Sequence, residues 1–187
     1  MENSTAPTAA TPRIGGLQTP SQTVGPYFAY GLAPEQYHYN FRSLTNNELV
    51  DPLQTTDAIM IVGKVFDGQG NVIPDAMVEL WDANNQLFGR FGTGTDVEKR
   101  FIFKALKPVS INGEAPYLSL ILFMRGQLIH SYTRIYFSDE TALNDKDEVL
   151  LAVPAERRNT LIAQKTGNYY TFNINMQGDN ETVFFEI

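Results

Sequence analysis

The chain is poor in the residue types that most often carry out chemistry. Its 187 residues include no cysteine and two histidines, His38 and His130. That excludes thiolate metal centres, iron–sulfur clusters, disulfide frameworks and cysteine nucleophiles. Histidine-rich metal sites and triads are severely limited for the same reason. Other candidate constellations are weak. The acidic runs at Asp139-Glu140 and at 145–148 lack calcium-loop spacing and read as solvated faces. Gly92-Thr93-Gly94 is too short for a phosphate loop. The charge balance is 14 basic against 21 acidic residues, a formal net charge of −7, and no basic run stands out. Nucleic acid is therefore not an expected partner.

The elements that must position any site are mostly strand-like. Runs at 58–66 (AIMIVGKVF), 76–81, 100–103, 117–124 (YLSLILFM), 132–137 (YTRIYF), 169–175 and 182–187 are rich in β-branched and aromatic residues. Turn clusters such as Asp67-Gly68-Gln69-Gly70-Asn71 separate them. This rhythm predicts an all-β dominated fold, an antiparallel β-sandwich rather than a βαβ unit. Trp81, at a strand end, is expected in its core. One segment breaks the pattern. Residues 154–165 (PAERRNTLIAQK) combine helix formers with Pro154 at the start and Gly167 just beyond, which predicts one short helix. Residues 32–57 read as a long surface connection.

The N-terminal part divides in two. Residues 1–18 are rich in Ser, Thr, Ala and Pro and read as a flexible tail. Residues 19–30 (TPSQTVGPYFAY) carry two prolines, a glycine and three aromatics. Such an arm is extended and rigid, and Tyr27, Phe28 and Tyr30 should dock on the core or on a partner. Glu2 without an apolar stretch behind it predicts no secretory leader and a cytoplasmic location. A single domain over 19–187 is expected.

Specific blocks narrow the reading. They are TPSQTVGPY at 19–27, residues 63–82 ending in VELWD, LKP at 106–108 and APYLSLILFMRG at 115–126. Further blocks are TRIYFSDE at 133–140, RRNTLIA at 157–163 and GDNETVFFEI at 178–187. With them the chain resembles the intradiol ring-cleavage dioxygenases over residues 19–187, on the side of the family's non-catalytic α chains. The resemblance implies a prealbumin-like sandwich. It also implies that catalytic chains hold Fe(III) with two tyrosines and a His-x-His pair on one strand face.

This chain departs from that ligand pattern throughout. The His-x-His strand aligns with Tyr117-Leu118-Ser119. The first tyrosine position falls near Phe88, and residues 109–112, after Lys107-Pro108, contain no tyrosine. The expectation is a chain with no catalytic residue and no metal ligand of its own, with Tyr117 an interior or interface tyrosine. Fe(III) would lie in a homologous β subunit, and αβ pairs would build a higher-order oligomer. The substrate would be a small aromatic carboxylate, cleaved with O₂. The resemblance places Thr23, Gly25, Pro26 and Arg125 in the shared substrate pocket. Glycine admits close approach, threonine offers a hydroxyl, proline forms a wall and arginine binds an anion. Each has a plain structural use as well: Gly25-Pro26 as a turn, Arg125 as half of an ion pair. Arg134 reads as a packing or ion-pair residue. A different class stays open at this point, a stand-alone prealbumin-like binding module without ring-cleavage activity.

Overall fold

A computed structural model of the chain describes residue 25 and residues 28–51 and 57–186. The tail at 1–18 and the candidates Thr23 and Pro26 lie outside the described residues.

Alternation writes most of the structure. In β1 (Ile59–Phe66) every second residue is buried, and Ile61 and Val65 have no exposed surface. β4 (Arg100–Ala105) buries Phe101, Phe103 and Ala105, and β5 (Tyr117–Phe123) buries Leu118, Leu120 and Leu122. A two-residue period puts these side chains on one face, where burial removes them from water. β1 and β4 pair antiparallel from Ile59↔Ala105 to Lys64↔Arg100. β2 (Met77–Asp82) pairs antiparallel with both β3 (Leu87–Gly92) and β5. β5 pairs antiparallel with β6 (Ser131–Phe137).

The remaining strands join these groups. β6 runs parallel to β7 (Ile162–Thr166), which turns back antiparallel to β8 (Tyr169–Thr171). β8 and β9 (Ile174–Asn175) both run parallel to β1. The path is β3-β2-β5-β6-β7-β8-β1-β4, with β9 added on β1. Its ends return toward each other: Phe91 of β3 meets Phe103 of β4 edge-on, with ring centroids 6.4 Å apart. The result is a mostly-strand, nearly closed sheet with few helices. It is not purely antiparallel as expected, because three of its pairings are parallel. One core holds Ile61, Val65, Leu80, Phe101, Phe103, Leu120, Ile135 and Phe137. A smaller one gathers Ala115, Tyr136, Leu150, Val153 and Leu161.

Gly63 shows how closely β1 and the chain on either side of it pack. A Cβ there would overlap the Phe172 carbonyl oxygen and the Phe101 ring. Only glycine fits such an approach.

Several expectations need correction. Residues 154–165 are not an α-helix. Ala155–Leu161 forms 3₁₀ turns, and the chain then enters β7 at Ile162. Leu161 and Ala163 are both fully buried, and strand pairing on both sides of β7 satisfies the backbone. Tertiary pairing outweighs helix propensity here. Gly167 caps no helix; at φ 64° it opens the two-residue turn between β7 and β8. Two short helices flank the acidic run at 145–148, α2 (Thr141–Asn144) and α3 (Glu148–Ala152); Asp145 and Glu148 are exposed as expected, and Asp147 is the exception. Asp147 is buried and caps α3, accepting from Leu150 N at 2.9 Å. Trp81 is 39% exposed, on the outer face of β2 rather than in the core. β3 was not foreseen. The C-terminal block forms no strand among the described residues; Phe185 makes an isolated bridge to Tyr132.

Candidate functional site

The positions where a catalytic chain would hold iron are occupied by other contacts. Tyr117 and Ser119 lie on one face of β5, as their spacing requires. The Tyr117 ring faces the Arg134 guanidinium at 4.1 Å and the Tyr136 ring at 5.8 Å. The Ser119 hydroxyl shares a 3.1 Å hydrogen bond with the Tyr132 hydroxyl. Phe88 is a hydrocarbon ring under the Arg90 guanidinium, 5.5 Å from its centroid. The two histidines are placed elsewhere. His38 takes a left-handed turn conformation at φ 63°, and His130 lies beside Phe123, 5.9 Å between ring centroids.

This donor set does not fit a ferric ion, which prefers hard anionic oxygens together with imidazoles. A serine hydroxyl and a phenylalanine offer neither, and the single tyrosine Tyr117 has no imidazole beside it to complete a ligand set. Among the described residues no group of three or more His, Cys, Asp or Glu is placed to hold a metal ion.

Arg134 is therefore a packing residue with a specific task, as its strand position suggests. Its Nη1 donates to the Tyr136 hydroxyl at 3.3 Å, and that hydroxyl donates to Asp147 at 3.1 Å. Burial pushes the Tyr136 phenol well above its ordinary range, so it stays a neutral donor to Asp147. A cavity of about 550 Å³ opens over this relay, lined by Glu114, Tyr117, Arg134, Lys146 and Asp147 among others.

Of the substrate-side candidates, Gly25 and Arg125 are described. Gly25 is exposed and its carbonyl accepts from Phe28 N at 3.1 Å, so it opens the turn that leads into α1 (Phe28–Leu32). The Phe28 ring packs on Phe123 with centroids 5.4 Å apart. Phe123 ends β5, two residues before Arg125. Residues one hundred positions apart in the sequence thus approach each other through one aromatic contact. The arm is held further along. Arg90 Nη1 donates to the Leu32 carbonyl at 3.3 Å while pairing with Glu79 at 2.6 Å. The Gln36 side chain accepts from Gly92 N at 2.9 Å. The expected docking of Phe28 is on the chain's own sheet, although the ring remains 38% exposed.

Arg125 itself lies in the turn between β5 and β6, with 58% of its side chain exposed. It is half of an ion pair: Nε and Nη2 approach the same oxygen of Asp75, at 2.7 and 2.5 Å. Asp75 is the residue that sequence reading missed. It precedes β2 in a Pro-Asp turn that reads as an ordinary connection.

The Lys of the LKP block serves the fold. Lys107 Nζ lies 2.9 Å from Asp139 and 2.5 Å from Glu140, and Lys165 Nζ lies 2.7 Å from Asp139. The Tyr170 hydroxyl donates to the same carboxylate at 3.0 Å. Burial opposes ionisation of Asp139, but hydrogen bonds from Lys165, Lys107 and Tyr170 outweigh it and hold the carboxyl well below its usual range. Asp139-Glu140 is thus an ion-pair knot on an exposed face. In the RRNTLIA block, Arg158 donates to the Val153 and Leu151 carbonyls, both at 2.8 Å, and closes the end of α3. Arg157 donates to the Glu181 carbonyl at 2.7 Å and anchors the C-terminal block.

Comparison with known proteins places the chain in a family. No protein-family model matches the chain. It is 44% identical over 192 residues to the "Protocatechuate 3,4-dioxygenase alpha chain" of Burkholderia cepacia, covering 91% of this chain and 98% of that one. It is 37% identical over 194 residues to the protein of the same name from Pseudomonas putida, covering 90% and 96%. Among solved structures it is similar to the dioxygenase domain of a dioxygenase carbohydrate-binding protein fusion from Streptomyces sp. SirexAA-E. The TM-score is 0.56 at 16% identity, over 74% of this chain and 89% of that one. An intradiol ring-cleavage dioxygenase from Tetranychus urticae gives 0.56 at 12% identity, over 73% and 88%. These structural likenesses concern the fold alone.

Proposed function

The chain belongs to the protocatechuate 3,4-dioxygenase alpha chains, within the intradiol ring-cleavage dioxygenases, and from that premise we propose how it shares one active site with a partner. It is an α subunit of that enzyme. Its own residues supply no ferric ligand set, so the Fe(III) resides in a homologous β chain. The substrate is protocatechuate. Both atoms of one O₂ enter the product, β-carboxy-cis,cis-muconate, as the ring opens between its two hydroxyl-bearing carbons. This chain contributes binding and shape. Gly25, with Thr23 and Pro26 on either side, forms part of the wall, and Arg125 faces the substrate carboxylate. The αβ pairs assemble further into a symmetric oligomer in the cytoplasm. Residues 19–187 act as one unit, with the sheet layers facing each other as in a prealbumin-like sandwich.

The observation that supports this reading is the Phe28–Phe123 contact: Phe28 lies three residues after Gly25, and Phe123 two residues before Arg125. Two half-walls from distant parts of the chain make sense when a second chain completes the enclosure. Arg125 remains largely exposed here, with donors left for an anion.

Steady-state kinetics of the αβ complex tests the role of Arg125. Arg125→Ala should raise KM for protocatechuate about tenfold, the scale of one charge-assisted contact. Catechol, which lacks the carboxylate, should be almost unaffected. An equal effect on both substrates would assign Arg125 a purely structural role.

A further inference from the structure

We infer that Asp75 is a positioning residue for Arg125, holding its guanidinium at a fixed angle so that the free end of the fork meets the substrate carboxylate. The inference rests on the pocket role of Arg125 proposed above and adds a residue to it.

A guanidinium carries five N–H groups in a rigid plane. Nε and Nη2 each direct one toward the same Asp75 oxygen, at 2.7 and 2.5 Å. That uses the side edge of the plane. The end edge, one N–H from Nη1 and one from Nη2, remains, and it is the edge that can grip a carboxylate with two parallel bonds. Without Asp75 an exposed arginine samples many rotamers, and each binding event must order it anew.

Asp75 is itself placed in a manner that stability alone does not explain. Its side chain is 15% exposed although it follows an exposed proline in a connecting turn. Oδ2 takes both arginine donors, while Oδ1 is buried and has no hydrogen-bond partner among the described residues. Leaving a carboxylate oxygen buried and unpaired is unfavourable. An ion pair with an arginine more than half exposed returns little in exchange. The anchor is also rigid. Ala76, the next residue, is fully buried, and its amide donates to the Thr93 hydroxyl at 3.1 Å. Asp75 is thereby tied to the sheet while Arg125 sits on a turn.

The test compares Asp75→Asn, Asp75→Glu, Arg125→Ala and the Asp75→Asn/Arg125→Ala double variant in the αβ complex, each with protocatechuate and catechol. Iron content and the visible band of each complex report its assembly. Asp75→Asn is expected to raise KM for protocatechuate about fivefold with kcat within about twofold of wild type, and to leave catechol unchanged. Asp75→Glu, which keeps the charge, should recover part of that loss. In the Arg125→Ala background Asp75→Asn should add nothing, because the two residues then act as one unit. If Arg125→Ala raises KM for protocatechuate and Asp75→Asn does not, the positioning role is overturned and the Arg125 assignment stands. Equal losses with both substrates for Asp75→Asn would also overturn it. If Arg125→Ala has no carboxylate-dependent effect, the assignment of Arg125 fails and this inference fails with it.

Discussion

Asp139 accepts from two lysines and a tyrosine at once. Its folded pKa is held below its unfolded value, so its stabilising effect is fully present above about pH 4 and is lost as pH falls toward the folded value. Asp139→Asn should cost about 2 kcal/mol near neutral pH, the scale of hydrogen bonds to a charged acceptor, and progressively less toward pH 3. Urea unfolding midpoints of the two proteins between pH 3 and 7 check this; parallel pH profiles would refute it. At this scale the sequence was only partly legible. The absence of imidazoles and thiols could be counted directly. The partners of charged residues could not, because Lys107, Asp139 and Lys165 meet only after three strands are aligned. Asp147 read as a solvent-facing acid, yet it caps a helix from a buried position. Arg125 was visible as a basic turn, but Asp75, fifty residues earlier, offered no local pattern to betray the pairing.

Among the elements, strands with clean alternation were recognisable from their residues. β1, β4 and β5 follow a strict inside–outside pattern, and one register slip would expose a whole buried row. β3 escaped notice because LFGRFG carries two glycines and buries little. Segment 154–165 has the composition of a helix, but Leu161 and Ala163 must both enter the interior, and only an extended chain after Leu161 allows that. Parallel pairings were hidden for a similar reason: β8 and β9 add to β1 across about one hundred residues, and no turn signal records it. Gly63 is the element-scale test of this packing. Gly63→Ala would drive a methyl into the Phe172 carbonyl and the Phe101 ring. It should cost about 3 kcal/mol and lower Tm by about 6–12 °C. Thermal unfolding of the variant measures it, and a Tm within about 1 °C of wild type would show that β1 and the neighbouring strands can part without penalty.

For the whole molecule, the sequence blocks and the structure agree on a division of labour. An intradiol dioxygenase fold is kept, while the strand face that would need two imidazoles carries Tyr117 and Ser119, each engaged with a neighbour. Phe28, at the start of α1, instead packs on Phe123 at the end of β5, two residues before Arg125. The polypeptide is thus large enough for an enzyme yet arranged as part of one. Iron analysis with visible absorption spectra addresses this most directly, comparing the chain purified alone with the chain purified with its β partner. The chain alone should be colourless and without iron. With the partner, one iron per αβ pair and a tyrosinate-to-Fe(III) band are expected. Stoichiometric iron and that band in the chain alone would contradict this division of labour.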